Sequence, residues 1–183
     1  VWWVSLSYRP EEVTTRTTFG HRESDSIIGA SNTGGIHTSV ERKSRFLWAV
    51  KILAIPAITA IPAITAVTTL EAQRRMFEGL PVHAVASVTA DNGSEFAHHY
   101  KLADTLGIPT YFCDPYSSWQ RGTNEHFNGR IRRYLPKKTR FDDLTQEELD
   151  EFVAEINNRP RKVLGWLTPA EIFQGLCSEW STR

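Results

Sequence analysis

The sequence holds two cysteines, one methionine and no net charge, and each scarcity removes a class of protein. Cys113 and Cys177 are too few and too far apart for a disulfide framework or a CxxC metal site. They fit a reducing compartment and predict a cytoplasmic, nucleoid-associated location. Acidic and basic residues balance at 21 each, which argues against a diffuse polycation that binds any polyanion indifferently. No apolar run reaches the ~20 residues that a membrane-spanning helix needs, and no signal-peptide pattern opens the chain. Neither a membrane nor a small-molecule substrate is therefore expected. The single Met is internal, at Met76, and the chain begins at Val1, which predicts a piece of a longer reading frame.

What is present suits one α/β domain: 183 residues, 40% hydrophobic and 23% charged, the composition of a soluble globular protein. Residues 1–20 mix an apolar start with polar, turn-like RPEEVTTRTTFG and predict an extended lead-in over 1–18. Ser26 to Ala30 is a short apolar run that places Asp25 on or just before a first strand. Ile36 to Glu41 and Phe46 to Leu53 predict two more strands in an antiparallel meander, joined by the turn Arg42–Lys43–Ser44. AIPAIT at 54–59 then recurs unchanged at 60–65. Two copies are too few for a solenoid, and Pro56 and Pro62 exclude an ordinary strand or helix interior.

Thr68 and Glu71 have capping-box spacing, and Leu70, Phe77 and Leu80 recur at helical intervals, so a helix follows. Val82 to Thr89 reads as a buried strand, Ser94 as the cap of a helix that Gly107 stops, and Ile108 to Phe112 as a fifth strand. Strand, helix, strand predicts a parallel pair with a crossover helix. The expected sheet is thus five-stranded and mixed, an antiparallel meander plus parallel strands, flanked by helices. Asn124 to Tyr134 is helical despite Gly129. Leu149, Phe152, Val153 and Ile156 stripe a helix opened by Thr145 and Glu148, and Thr168–Pro169 opens a last one.

The chemistry concentrates between Thr89 and Tyr134. The turn DNGS delivers Asp91 at the carboxyl end of a strand, and Glu125 falls on the helix beyond. Hard divalent cations take oxygen ligands, so acids from separate parts of a fold can hold the pair of ions that supports phosphoryl displacement. Asp25 is the upstream candidate for a third acid. Glu23, two residues away and so on the same face of a strand, is its rival. Read alone, Asp91 would be a turn former and Glu125 a solvated helix acid. His98, His99 and His126 lack zinc-site spacing and are assigned to surface or packing.

Pro115 to Arg140 holds seven basic residues (Arg121, Arg130, Arg132, Arg133, Lys137, Lys138 and Arg140) against the single acid Glu125. Phe141 to Glu155 holds seven acids and no Lys or Arg. A basic stripe beside catalytic acids suits a polyanionic substrate, although an exposed, merely solvated helix face produces the same pattern. Helical spacing puts Arg121, Glu125, Asn128 and Arg132 on one face. Trp119 stacks on a base or anchors the loop, and the sequence leaves both open.

Several motifs in order carry a resemblance: FGH at 19–21, Asp25 with IIG, VERKSRF at 40–46, TADNGSEFA at 89–97 and FCDPYS…WQRGTNE…NG…R…YLPK over 112–137. With NNRPRK at 157–162 and TPAEIF at 168–173, they resemble the catalytic domain of bacterial insertion-sequence transposases of the IS-thirty family. The resemblance covers residues 8 to 174. It implies a ribonuclease H-like integrase core over 19–174 with a tail at 175–183. It also implies a DDE triad of Asp25, Asp91 and Glu125 holding two Mg²⁺ ions, which Mn²⁺ can replace, and DNA cleavage with strand transfer. Double-stranded DNA, as element ends and target, and further copies of the chain are the implied partners. Arg121, Asn128, Arg132, Arg133 and Lys137 are the DNA contacts.

The chain departs from the family in three places. Arg22–Glu23–Ser24–Asp25 stands where the family reads Trp-Glu-Gly-Asp, Ser118 where it commonly has Pro, and Glu125–His126–Phe127–Asn128–Gly129 where it has Glu-Asn-Thr-Asn-Gly. The repeated AIPAIT is a further oddity, and the chain lacks room for the family's amino-terminal helix-turn-helix region. Two rival readings follow: an inactive transposase remnant that binds DNA or other copies, and a nuclease of the same fold acting on a different nucleic acid.

Overall fold

The computed structural model describes residues 3–53, 63–115, 117, 120 and 122–181. The first AIPAIT copy, half of the second, Ser118, Trp119 and Arg121 lie outside the described residues. Five strands, β1 (His21–Ile28), β2 (Gly35–Glu41), β3 (Leu47–Ile52), β4 (Ser87–Ala90) and β5 (Thr110–Phe112), form one sheet in the order β3-β2-β1-β4-β5. β1, β2 and β3 make the expected antiparallel meander, and β4 pairs parallel to both β1 and β5. The helices are α1 (Glu11–Thr15), α2 (Ala66–Phe77), α3 (His99–Leu106), α4 (Gly122–Tyr134), α5 (Gln146–Asn157) and α6 (Pro169–Ser181).

Strand alternation divides the core into two layers. Ile27, Ile36, Val40, Leu47 and Ala49 face Phe127 and Ile131 of α4, Leu135 just after it, and Leu149, Val153 and Ile156 of α5. Val50, Ile52 and Val88 face Ala72, Met76 and Phe77 of α2 and Leu102 of α3 on the opposite side. α5 opens with the expected capping box, Thr145 with Glu148. Thr168 and Glu171 make a reciprocal pair at the start of α6, with Pro169 in the first turn.

Four local expectations are corrected. The box that opens α2 is Thr65 with Thr68, not Thr68 with Glu71, so the helix starts three residues earlier and carries Leu70 inside it. Val82 to Thr89 is not one strand. Pro81 starts a 3-10 turn at Val82–Ala84 that leaves Val82 90% exposed, and pairing begins only at Ser87. That turn is held close to the strand before it: Ala86 donates its amide to Gly20 O at 2.7 Å. Gly20 has φ +95, and a Cβ there would come within 2.5 Å of His83 O. Ser94 lies within a 3-10 turn, Ser94–Phe96, and α3 begins after His98. Gly107 ends α3 in the left-handed region as expected. Finally, the lead-in is not all extended: a 3-10 turn at Leu6–Tyr8 precedes α1, Val13 is buried, and Arg9 donates to Thr89 Oγ1 at 3.0 Å.

β3 is a sheet edge, and α5 covers its outward backbone groups with two amide side chains. Asn157 accepts from Leu47 N (2.9 Å) and donates to Leu47 O (2.8 Å). Gln146 accepts from Lys51 N (2.8 Å) and donates to Ala49 O (3.2 Å). An edge satisfied in this way cannot template another strand. Asn157→Ala would strand a buried amide and carbonyl, and unfolding in urea should show a loss of about 3 kcal/mol.

Candidate active site

The odd-numbered residues of β1 point at α4. β1 and β4 are in register through Glu23 opposite Thr89, so Asp25, on β1, and Asp91, one residue past β4, each lie two residues beyond that last pair. The alternation that puts Glu23 and Asp25 under α4, carried one residue past β4, puts Asp91 on the same face. The acids therefore share the carboxyl end of the β1–β4 pair, where ligands of open α/β sheets commonly bind. The turn after β4 is fixed by its own side chains. Asp91 Oδ1 accepts from Gly93 N (2.9 Å), and Asn92 donates to Cys113 O (2.7 Å) while accepting from Trp3 Nε1 (2.8 Å).

α4 docks on β1 and β2 through two asparagines one turn apart. Asn124 Nδ2 donates to Glu23 O (3.0 Å), and Asn128 Nδ2 donates to Asp25 Oδ2 (2.9 Å). Thr38 on β2 lies within hydrogen-bonding distance of both amide oxygens, 3.1 and 2.9 Å. Asn128, expected to contact DNA, is thus the side chain that orients Asp25. Sequence reasoning does not single out Asn124; its i, i+4 relation to Asn128 is the signal that could have found it. Glu125 is exposed on the flank of α4 that also carries Asn128 and Arg132. Arg132 reaches the end of β1, donating to Ile28 O (3.1 Å), so that flank overlies the carboxyl end of the strand. Its guanidinium pKa is lowered by burial, and it sits over the Phe141 ring at 5.9 Å. Arg133 and Lys137 are exposed, and Arg121 lies outside the described residues.

Glu23, the rival acid, is committed elsewhere. It is fully buried, forms an ion pair with Arg42, and accepts from Asn124 N at 2.9 Å. Asp25 accepts from the Ser26 amide (2.8 Å) and from Asn128. Carboxylates supply the oxygen ligands that a hard divalent cation takes, so Asp25 and Asp91 fit one by donor type. The arrangement is not a closed cage. Among the described residues, no group of three or more His, Cys, Asp and Glu side chains lies close enough to hold a metal ion. Of the histidines, His99 packs against the Phe112 ring at 4.8 Å. No helix among the described residues is long and apolar enough to cross a membrane.

Comparison with known proteins gives a consistent result. The chain is 39% identical over 176 residues to the transposase for insertion sequence element IS4351 of Bacteroides fragilis, an alignment covering 96% of this chain and 51% of that protein. It is 41% identical over 166 residues to transposase InsI for IS30A of Escherichia coli K12, covering 91% and 41%. For the IS1086 transposase of Cupriavidus metallidurans the identity is 41% over 170 residues, covering 93% and 48%. The chain thus spans about half the length of these curated relatives. No protein-family model matches it.

Among solved structures, the catalytic core domain of BIV integrase superposes with a TM-score of 0.61 at 23% identity, covering 88% of this chain and 97% of that one. A chain of the simian T-cell lymphotropic virus intasome in complex with PP2A regulatory subunit B56 gamma gives 0.66 at 18% identity, covering 85% and 54%. At such identities the likeness shows the fold, which is the mixed five-stranded, ribonuclease H-like α/β architecture expected from the sequence.

Proposed function

Because this chain is a homologue of the IS30-family transposases over most of its own length, we propose that it is the catalytic domain of a DDE transposase that cleaves DNA at the ends of an insertion sequence and joins them to target DNA. The observation that supports this reading is the β1–β4 register, in which Asp25 on β1 and Asp91, one residue past β4, each follow the Glu23–Thr89 pair by two residues, with Asp25 bonded to Asn128 of the helix that bears Glu125. Asp25, Asp91 and Glu125 are the residues that would hold Mg²⁺. A pair of such ions, when bound, lowers the pKa of water and stabilises an in-line phosphoryl displacement. The chain's own contribution is position. Asn128 fixes the Asp25 carboxylate, and the Asn92 and Gly93 amides fix the turn of Asp91.

The reaction is attack of water on a phosphodiester at an element end, which leaves a 3′-hydroxyl, followed by attack of that hydroxyl on a target phosphodiester, which joins the element end to the target phosphate and releases the target strand's 3′-hydroxyl. Arg133 and Lys137, both exposed beyond the acids, hold phosphates without reading sequence. Arg121 and Arg132 are assigned the same role, Arg132 through whatever reach remains once it holds the strand end. Further copies of the chain assemble on the two element ends.

The test is nicking of a labelled duplex carrying the ends of the element that encodes the chain, with Mg²⁺ or Mn²⁺. Asp91→Asn and Glu125→Gln are each expected to slow nicking by about 10²- to 10³-fold, the usual loss when one element of transition-state charge stabilisation is removed. Nicking that persists in both variants, or that survives a chelator, would sink the reading.

A further inference from the structure

The flank of α4 opposite Asn128 opens into a second basic feature, and it is assembled from distant segments. A cavity of about 590 Å³ is lined by Arg16, Arg45, Arg130, Arg159, Arg161 and Lys162, and no acid is among its described lining residues. Five of its cations lie outside the stripe at 115–140, and they come from the lead-in, the β2–β3 turn and the segment after α5.

The site is built rather than merely charged. At the first turn of α4, the Thr123 hydroxyl accepts from Arg16 Nη2 (3.1 Å) and Arg45 Nη1 (3.3 Å), which fixes both guanidinium groups. The buried Phe127 ring lies under two more, Arg161 at 5.5 Å and Arg130 at 5.9 Å. Arg161 is tied to Ile156 O (2.7 Å), Arg130 donates to His126 Nε2 (3.0 Å), and Arg159 is held by Glu155 (2.8 Å).

Among the described residues, three buried donors have no acceptor: Nε of Arg16, Arg45 and Arg161. Burial, and then Arg130 and Arg159, lower the Arg161 pKa to about 10. The His126 pKa is lowered by burial first, then by Arg130 and Arg161. Such crowding of like charge is relieved by an anion, and the amino-terminal end of α4 adds its own positive potential.

We propose that this cavity is a second anion site, taking the phosphodiester backbone of duplex DNA on the side of α4 away from the acids. Six cations around an open cavity exceed what one phosphate group would require, and a helix is only about 10–12 Å across. One duplex lying over the start of α4 can therefore be gripped on one flank while a phosphodiester reaches the acids on the other. This assignment rests on the transposase reading, but it is tested separately from it.

The experiment is fluorescence anisotropy of a short labelled duplex of arbitrary sequence against increasing salt. It compares wild type, Arg130→Gln/Lys162→Gln, and the charge-matched control Arg75→Gln/Lys101→Gln, whose exposed sites lie on α2 and α3 across the sheet. Thermal unfolding confirms that each variant is folded. The cavity variant should lose affinity on the order of tenfold and its log–log salt slope should fall by about 2, one contact's worth per removed charge, while the control changes little. Equal losses in both variants, an unchanged slope in the cavity variant, or no duplex binding by wild type would overturn the proposal. A second arm uses tripolyphosphate as the probe. If it binds wild type and not the cavity variant while duplex affinity is unchanged between them, the site takes a free polyphosphate and the DNA assignment is wrong. Loss of duplex binding in the cavity variant without metal-dependent nicking by wild type would retain the site and overturn only the transposase reading.

Discussion

Glu23→Gln should cost about 3–5 kcal/mol of folding free energy, the range expected when one partner of a buried ion pair is removed. The physical reason is the company Glu23 keeps. It is fully buried and pairs with Arg42, whose Nε in turn donates to Val13 O (2.9 Å) and ties α1 to the sheet. Its second oxygen accepts from Asn124 N and holds the first turn of α4. The negative charge also acts on Arg9, Arg16 and Arg45, raising their pKa values against the lowering effects of burial and of neighbouring arginines. Neutralising Glu23 would leave Arg42 buried without its counter-charge and withdraw the favourable field from three more guanidinium groups.

Urea unfolding of Glu23→Gln, Arg42→Met and the double variant measures the coupling. The double variant is expected to be more stable than Glu23→Gln alone, because it removes the orphaned cation. If Glu23→Gln falls within about 1 kcal/mol of wild type, the pair does not hold α4 in the way described. Nicking should fall as well, at a temperature where the variant is still folded, since α4 carries both Glu125 and the asparagine that orients Asp25.

Arg22→Met should raise stability by about 2–4 kcal/mol, the opposite sign to most core substitutions. Arg22 is fully buried, and none of its three guanidinium nitrogens has a hydrogen-bond acceptor among the described residues. It sits among the Trp48, Phe77 and Phe173 rings at 5.8, 5.8 and 5.9 Å. Glu41, its partner across the β1–β2 ladder, attracts it, but that carboxylate accepts from Gly20 N, Ser44 N and Ser44 Oγ. Cation–π contact contributes at most a few kcal/mol, less than the several kcal/mol needed to desolvate a cation.

Burial pushes the Arg22 pKa down to about 10 from 12.5. For a base with a lowered folded pKa, the unfolded chain binds more protons, so the penalty is complete below pH 10 and fades as pH rises from 10 towards 12.5. At neutral pH the gain from Arg22→Met should therefore appear in full, as a rise in Tm of roughly 5–12 °C. Arg22→Trp, which restores the residue of the family pattern, is expected to share the sign if the aromatic pocket can take its volume. A lower Tm in the Met variant would mean that the three rings stabilise the cation more than water does.

These two neighbouring residues show where the sequence stopped being legible. Glu23 and Asp25 share a strand face, and period-two alternation offers no reason to prefer either as a metal ligand. The choice depends on Arg42 from the β2–β3 turn and Asn124 from α4, both remote in sequence. Likewise, Asn128 reads as a DNA contact because it shares a helix face with Arg132, yet its partner is Asp25. The short-range errors have a different origin. Val82 to Thr89 has the composition of a strand, but Pro81 turns the backbone into a 3-10 conformation that composition does not register. Thr65 and Thr68 can each open α2, and the hydrogen bonds of the folded chain select Thr65.

By itself the sequence determined the five strands and their order, the main helices α2 to α6, the mixed character of the sheet, the basic stripe and the acids Asp25, Asp91 and Glu125 as candidates. Those properties are carried by local periodicity, turn chemistry and motifs in order, all of which a linear chain displays. Only the tertiary structure decided that Glu23 is a buried anchor, that Asn157 and Gln146 cap backbone groups at the edge of β3, that Arg22 is a core cation with no hydrogen-bond acceptor among the described residues, and that six basic residues between 16 and 162 meet in one cavity. Each of these is a matter of burial and of partners drawn together across the fold, and neither is written in the spacing of residues along a strand or a helix.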